Sequence, residues 1–592
     1  MRRLIIFLII PAIQVVGRAQ QDAGEAVMNF YRVESVETLD AYEVERLEEY
    51  IRNPLRINVH SASRLEESGL LTHYQMVSLM DYRERHGDIM SLSELAAVDG
   101  FGRDFVNRLA PFISLESDRL PSERPSRKAT WDNELSMRTA FKSGKEASYG
   151  LKYKGEVGDR LNISLSYGRT ASSANVLSGN MMWRFRKAGG FLVAGDYNAR
   201  FGQGLALWNG MSMGGISAPS SLMKRPSGLS ASSSFTGGYA MKGAAACIPV
   251  GKMKLSALVA LPSSDSGGSV LAGANVSVSF RNGQISATHY AESVLSADMS
   301  SAADMKTSFD CSFCFNGTDM FSEAAFDWRS GVMAFLAGSV FPAGDDARFG
   351  IAVRAYPSDY SSDRSAALRS LTKCSNEYSV SLAGEYSAGR WIDLNKAVSF
   401  PSSVRRHSGV FSLDAACFPI PKDDSDVRSL QIKTRADYTI YFNSLWNMKL
   451  RLSERVRTWG EPFRTEIRSD MTYDSGSFAA TFRMNIVKCV RWSFLTYGET
   501  ALKYAKGALF FRLGLFRADD WEDRIYAYER DAPGSFNVPA YYGRGVWTAM
   551  TFRWRFARWG KVYLRAAATS YALMKEEKPG KAELKLQFEF DF

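Results

Sequence analysis

The chain ends Glu583-Leu584-Lys585-Leu586-Gln587-Phe588-Glu589-Phe590-Asp591-Phe592, a faultless alternation of polar and apolar residues. A side-chain period of two belongs to an extended strand whose successive residues face opposite sides. One face here is wholly leucine and phenylalanine. The other carries Glu583, Lys585, Gln587, Glu589 and Asp591. The same texture runs upstream. Leu161, Ile163, Leu165 and Tyr167 oppose Asn162, Ser164 and Ser166. Ile432, Thr434, Ala436 and Tyr438 oppose Lys433, Arg435 and Asp437, and Met550, Phe552, Trp554 and Phe556 oppose Arg553 and Arg555. Similar runs occur at 376–386, 507–516 and 561–568. From about Trp131 onward, such segments follow one another between Gly, Asn, Asp and Ser turns.

Composition limits what these strands can build. The chain has 592 residues, 45% hydrophobic, 12% aromatic and 23% charged, with six Cys. There is enough apolar residue for a core, and too little Cys for a disulfide scaffold. No apolar run approaches the ~20 residues of a helical span. A soluble sandwich would also alternate, but here charged residues sit in mid-strand on the wet face of many strands in series. That pattern predicts a closed transmembrane β-barrel, since only helices and closed barrels satisfy their backbone in lipid. Allowing roughly 22–28 residues per strand and connection over residues 132–592 predicts some 16 to 22 strands, an even number.

The first residues read as an address. Arg2 and Arg3 precede the apolar run Leu4–Ile10, and Gly17-Arg18-Ala19 supplies small residues for cleavage. This predicts a signal peptide over 1–19 and a mature chain starting at Gln20. Residues 20–54 form an acidic segment with Val36, Leu39, Val44 and Leu47 near helical spacing. Residues 55–116 carry helix caps, beginning with Ile57-Asn58-Val59-His60-Ser61-Ala62-Ser63, and 117–131 is a linker containing Pro121 and Pro125.

Two family resemblances follow. The terminal alternation ending on Phe592, with Phe588 and Phe590 behind it, resembles the C-terminal signal of bacterial outer-membrane barrels. It implies recognition by the barrel-assembly machinery and an outer-membrane lipid environment. The stretch from Ile57 to Ile113 resembles the tandem helix-hairpin-helix domain of competence DNA receptors. The resemblance is carried by Ser61-Ala62-Ser63, Asp81-Tyr82-Arg83-Glu84, Ser91-Leu92-Ser93-Glu94-Leu95 and Gly100-Phe101-Gly102. Together they resemble outer-membrane proteins bearing this module on their N-terminal, periplasmic side. The resemblance implies that the hairpin glycines admit a phosphate or a partner to the backbone, with Gly69, Gly100, Phe101, Gly102 and Arg103 as candidate contacts. In the first hairpin Leu71 stands where the second glycine is expected, and its branched side chain is expected to obstruct close approach to the backbone.

Charge weighs on the choice of partner. Residues 20–116 hold 18 Asp and Glu against 9 Lys and Arg, a net of −9. The whole chain is +10 and residues 1–19 contribute +3, so the rest carries 10 − 3 + 9 = +16. A duplex-binding domain normally shows a basic footprint. The leading expectation is therefore a non-enzymatic barrel whose module docks a periplasmic protein, in envelope assembly or transport. The alternative is DNA binding or uptake at the outer membrane. The +16 fits a basic lumen or basic rims.

Motifs for chemistry are weak. Gly210-Met211-Ser212-Met213-Gly214 matches a nucleophile elbow but is followed by loop sequence, and His289 and His407 lie in unrelated strands. Cys311 and Cys314 are three apart in an alternating run, so they face opposite ways. No metal or cofactor is expected. His60 and His73 are expected at the surface of the helical module. Asn198–Gly204 and Ala540–Gly545 read as glycine bends at a barrel rim, with a lumenal Arg cluster as the functional alternative.

Overall fold

The computed structural model describes residues 23–31, 41–117, 131–158, 160–169, 175–185, 189–210, 215–232, 234, 240–262, 269–294, 304–344, 346–361, 363–388, 406–423, 427–535, 537–571 and 579–592. The expected signal peptide, Val36, Leu39, most of the linker and Ser212 lie outside the described residues.

From Trp131 onward, 24 antiparallel strands close into one barrel, the last (Lys581–Asp591) pairing with the first (Trp131–Lys142). Phe588 lies opposite Met137 and Phe590 opposite Leu135. A further four-residue strand, Gly228–Ala231, joins Phe191–Arg200, but the ring closes without it because Phe191–Arg200 also pairs with Met241–Val250. The count exceeds the expected 16 to 22. The 461 residues from 132 to 592 give about 19 per strand, because many connections are tighter than assumed. Gly251-Lys252, Arg281-Asn282, Asn316-Gly317 and Ala505-Lys506 each join two strands with two residues. At Asn316-Gly317 both residues have positive φ, 49° and 76°, the conformation a two-residue hairpin needs.

These tight turns lie at the end that carries Trp131 and Phe592. The long insertions 201–240, 357–376 and 519–542 lie at the opposite end. Most strands show the face assignment their alternation requires, although the strand Gly543–Ala557 breaks register between Arg555 and Ala557. In the last strand Lys585, Gln587 and Glu589 are buried and point inward, while Leu584 and Phe592 are exposed outside. Leu430, Ile432, Leu450, Leu452, Phe482, Phe511 and Leu513 are likewise exposed on the outer surface. A closed ring of strands with an apolar exterior and a charged interior is the architecture of a transmembrane barrel.

The described residues of the long insertions fold inward. Phe201, Leu205, Leu207, Leu222 and Tyr360 form a core with wall residues Tyr197, Tyr290, Phe321 and Tyr356. Ile525 and Tyr541 pack on Tyr497, Phe516 and Trp547. The expected rim bend at Asn198–Gly204 therefore turns into the barrel. The backbone N–H groups of Gln203, Leu205 and Ala206 donate to the buried Glu323 carboxylate at 2.7, 3.0 and 3.2 Å. Gly202 has φ +58°, and a Cβ there would stand 2.8 Å from that carboxylate.

The N-terminal part is a helical module: α1 (Ala23–Tyr31), α2 (Ala41–Arg52), α3 (Ala62–Glu67), α4 (His73–His86), α5 (Leu92–Leu95) and α6 (Gly102–Leu109). Ser61 and Ser91 cap α3 and α5, and Thr72 with Gln75 forms a capping box on α4. Val44 and Leu47 of the acidic segment enter a core with Phe30, Leu65, Leu79, Leu95, Phe105 and Phe112. Asn58 ties the module together, donating to the carbonyls of Ile89 and Leu115 at 2.9 Å each. His60 is buried, not at the surface: only 8% is exposed, beneath Arg83, which donates to its carbonyl at 3.0 Å.

Candidate functional site

The module is seated in the lumen at the barrel end that carries Trp131 and Phe592, and charge seats it. Glu66 and Glu67 of α3 meet wall cations Lys254 at 2.8 Å and Arg184 at 2.6 Å. Glu49 of α2 pairs with Lys154. Arg52 reverses the polarity and bonds Glu134 on the first strand and Glu589 on the last. The inward loops complete the contact. The Gly534 N–H donates to Glu48 at 3.0 Å, Arg225 donates to the Leu70 carbonyl at 3.0 Å, and Tyr528 packs on the module's core. The opposite net charges of the two parts thus face one another. At Lys154, Arg184 and Lys254 the basic excess lies in the lumen, one of the two locations the sequence left open.

Electrostatics at this interface are those of dry ion pairs. Burial alone would raise the Glu49 carboxyl, but Lys154 and Arg52 outweigh it and hold it well below the carboxylate range. Burial also works against Glu66, and Lys254 overcomes it. His73, half-buried between Glu66 and the wall, is lowered, chiefly by burial. Such pairs cost desolvation to form, so their main effect is to fix one seating, and removing one partner is costly.

The two hairpins differ in setting. The first is enclosed: Gly69 (φ +62°) lies against the Arg46 guanidinium, where a Cβ would approach it to 2.8 Å. Leu71 is 5% exposed and belongs to the module's core, so its side chain turns inward and does not obstruct an approach from outside. The second hairpin is open. Gly100, Gly102 and Arg103 are exposed, while Phe101 anchors the turn in the core beside Phe105. Gly100 (φ +82°) rests on the Tyr74 ring, and its carbonyl accepts from Gln75 at 2.7 Å. Gly102 (φ +66°) has nothing within 4 Å of where a Cβ would be. The contacts expected from sequence thus divide between a buried turn and an exposed one.

Other candidates stay apart. Cys311 bonds Ser322 on one face of its strand and Cys314 is buried on the other. His289 bonds Thr307 at 2.9 Å, and His407 is buried beside Tyr438. Among the described residues no group of His, Cys, Asp and Glu could hold a metal ion. Arg200 is enclosed, donating to the Asn209 carbonyl at 3.2 Å, and Arg544 bonds Asp519, so neither is an open lumenal cation.

Sequence reasoning missed the seating of the module and the Glu323 cradle. The signal for the first was the opposite charge of the two parts. The signal for the second was a carboxylate on the inner face of a mid-barrel strand.

No protein-family model and no curated protein matches the chain. Solved structures with similar shape include the P pilus usher PapC translocation pore, with 9% identity, a TM-score of 0.34, and 78% of this chain and 99% of that one covered. The copper transporter OprC has 9% identity, a TM-score of 0.39, and 79% and 81% covered. The siderophore receptor PirA from Pseudomonas aeruginosa has 7% identity, a TM-score of 0.38, and 79% and 81% covered. Identity and superposition at these levels transfer neither cargo nor partner to this chain.

Proposed function

We propose that this chain is a non-enzymatic, gated outer-membrane barrel whose N-terminal module closes the lumen and receives a periplasmic partner at its open hairpin. Tight turns and both ends of the barrel domain mark the periplasmic side, and long connections the outer side. The observation that carries the reading is the division between hairpins. One is spent on packing and on Arg46 and Arg225. The other presents Gly100, Gly102 and Arg103 to solvent on the side a periplasmic protein would approach. Partner engagement would then work against the ion pairs of α2 and α3 to loosen the seat.

A second reading, DNA binding or uptake, draws on the open space over Gly102 at the start of α6, where backbone N–H groups could meet a phosphate. Against it stand Asp99 beside the turn and the −9 charge of residues 20–116.

The test is photo-crosslinking in cells from a reactive residue placed at Arg103, together with planar-bilayer conductance. The proposal expects one discrete protein adduct, lost on Phe101→Ala, and a nearly closed full-length barrel that opens when residues 20–116 are removed. An adduct to DNA promotes the second reading. No adduct, with equal conductance in both forms, sinks the gated-docking reading.

A further inference from the structure

The barrel wall away from the helical module carries an unusual row. Four strands, Arg406–Phe418, Ser429–Tyr441, Trp446–Arg457 and Phe463–Asp474, are neighbours in the sheet. Their register sets Asp414 opposite Lys433, Lys433 opposite Arg455, and Arg455 opposite Arg464. Directly opposed residues hold their Cβ atoms roughly 5 Å apart, and like charges there are destabilising. Three cations in succession therefore need an explanation.

Their own carboxylates do not supply it. Asp414 is already paired with the buried Arg354 and bonded to Ser370. Glu466, also nearby, accepts from Asn485 at 2.9 Å. Among the described residues Lys433 donates only to a neutral acceptor, the Ser370 carbonyl, at 2.7 Å. Arg464 donates to the carbonyls of Glu522 and Arg524. Arg455 makes no hydrogen bond or ion pair among the described residues, the Glu522 carboxylate attracting it only from beyond ion-pair distance, and its Nε and Nη2 are buried. Elsewhere on this wall arginines are matched by acids: Asp437 bonds Arg451 and Arg435, and Asp470 bonds Arg468 and Arg483. The row at Lys433, Arg455 and Arg464 breaks that habit.

The row also borders a space. A cavity of about 210 Å³ is lined by these three residues, by Arg369 from the inward connection 357–376, and by Arg435, Asp414, Glu454 and Glu466. Glu454 lies on the outward parity of its strand, with Leu450 and Leu452. Arg455 and Arg464 stand within two residues of their strand ends, on the side of the long connections.

We infer that Lys433, Arg455 and Arg464 form a binding site for a small multivalent anion, a di- or tricarboxylate or a phosphate, inside the lumen near its outer mouth. The paired Nη and Nε donors of arginine suit both anion types, and a space of about 210 Å³ accommodates a ligand of a few carbons. The inference goes beyond partner docking and does not rest on it.

The test uses the full-length protein in detergent at low salt, titrated calorimetrically with citrate, with inorganic phosphate and with sucrose. Saturable binding of at least one anion and none of sucrose is expected. The double variant Arg455→Gln, Arg464→Gln should weaken it at least tenfold, Arg455→Lys should retain most of it, and Arg457→Gln, whose Nε is occupied by the Glu461 carbonyl at 3.0 Å, should leave it unchanged. Should the double variant not form a heat-modifiable barrel, protection of Arg455 from phenylglyoxal by citrate or phosphate in the wild type decides the matter. Preference for citrate or for phosphate identifies the anion class. Absence of saturable binding, unchanged affinity in a folded double variant, or no protection of Arg455 overturns the site.

Discussion

The guanidinium of Arg52, the last residue of α2, lies 3.4 Å from the Glu589 carboxylate of the last barrel strand. It also bonds Glu134 of the first strand at 3.0 Å. One module residue therefore spans the seam at which the barrel closes. Glu589 is 1% exposed, so removing Arg52 strands a buried carboxylate. Arg52→Ala should weaken seating of the module by about 3–5 kcal/mol. Limited proteolysis of residues 41–117 in the intact protein reads this directly. The double variant Arg52→Ala, Glu589→Gln should recover part of the loss, because the uncompensated charge is gone.

Acid should unseat the module in two stages. His73 has its folded pKa lowered, chiefly by burial, so the released module takes up a proton more readily than the seated one. Stability contributed by neutral His73 is complete above its free pKa, about 6.5, and is lost as pH falls through the lower, seated value. Glu66 and Glu49 are also lowered, their cationic partners Lys254 and Lys154 outweighing burial. Their contribution is complete above about 4.3 and fades only below the usual carboxylate range. Protease access to the module should therefore rise modestly as pH falls below about 6.5 and steeply below about 4. His73→Asn should flatten the first stage and leave the second.

The terminal strand gives a prediction about assembly. Phe588 and Phe590 are stacked with centroids 6.2 Å apart, and Phe590 stacks on Trp559 at 6.1 Å. Phe590→Asp removes these contacts and places a charge on the lipid side. Near the membrane rim that charge costs about 1 kcal/mol or less. A large fall in the amount of heat-modifiable barrel would thus exceed the energetic cost and point to lost recognition by the assembly machinery. Deletion of Phe592 should produce the same fall. Normal levels in both variants would remove the assembly role from this strand.

Much of this fold is legible because a barrel wall writes its two faces into every second residue. Lys585, Gln587 and Glu589 point inward as the alternation requires, and no distant contact was needed to place them. Helix caps at Ser61, Thr72 and Ser91 are local in the same way. What could not be read is long-range. The pairing of Glu67 with Arg184 spans 117 positions, and that of Arg52 with Glu589 spans 537. Nothing in the pattern around Leu71 distinguishes a leucine that blocks a turn from one that turns into the core. Register hides in the same way: Lys433, Arg455 and Arg464 look like three unrelated wet-face residues until the strands are laid side by side.

Leu71 and Gly102 supply the last prediction, because sequence and structure disagree about the first. If Leu71 only obstructed the hairpin, Leu71→Gly would open a second contact site. As a core residue it should instead lose about 2–5 kcal/mol for the buried side chain, with roughly 1 kcal/mol more for glycine's backbone freedom. Leu71→Gly should therefore raise protease access to the module without creating DNA binding. Gly102→Val is different: its Cβ meets nothing, but a β-branched residue at φ +66° is strained by about 1–2 kcal/mol. It should leave the core largely intact while abolishing close approach to the exposed turn, so the crosslink from position 103 should vanish in a module that stays seated. Duplex titration of the full-length variants at roughly 0.15 M salt completes the comparison. Tight binding by the wild type that Leu71→Gly improves would return the turn to the phosphate-binding reading, and a Gly102→Val protein that crosslinks as before would take the open hairpin out of the docking surface.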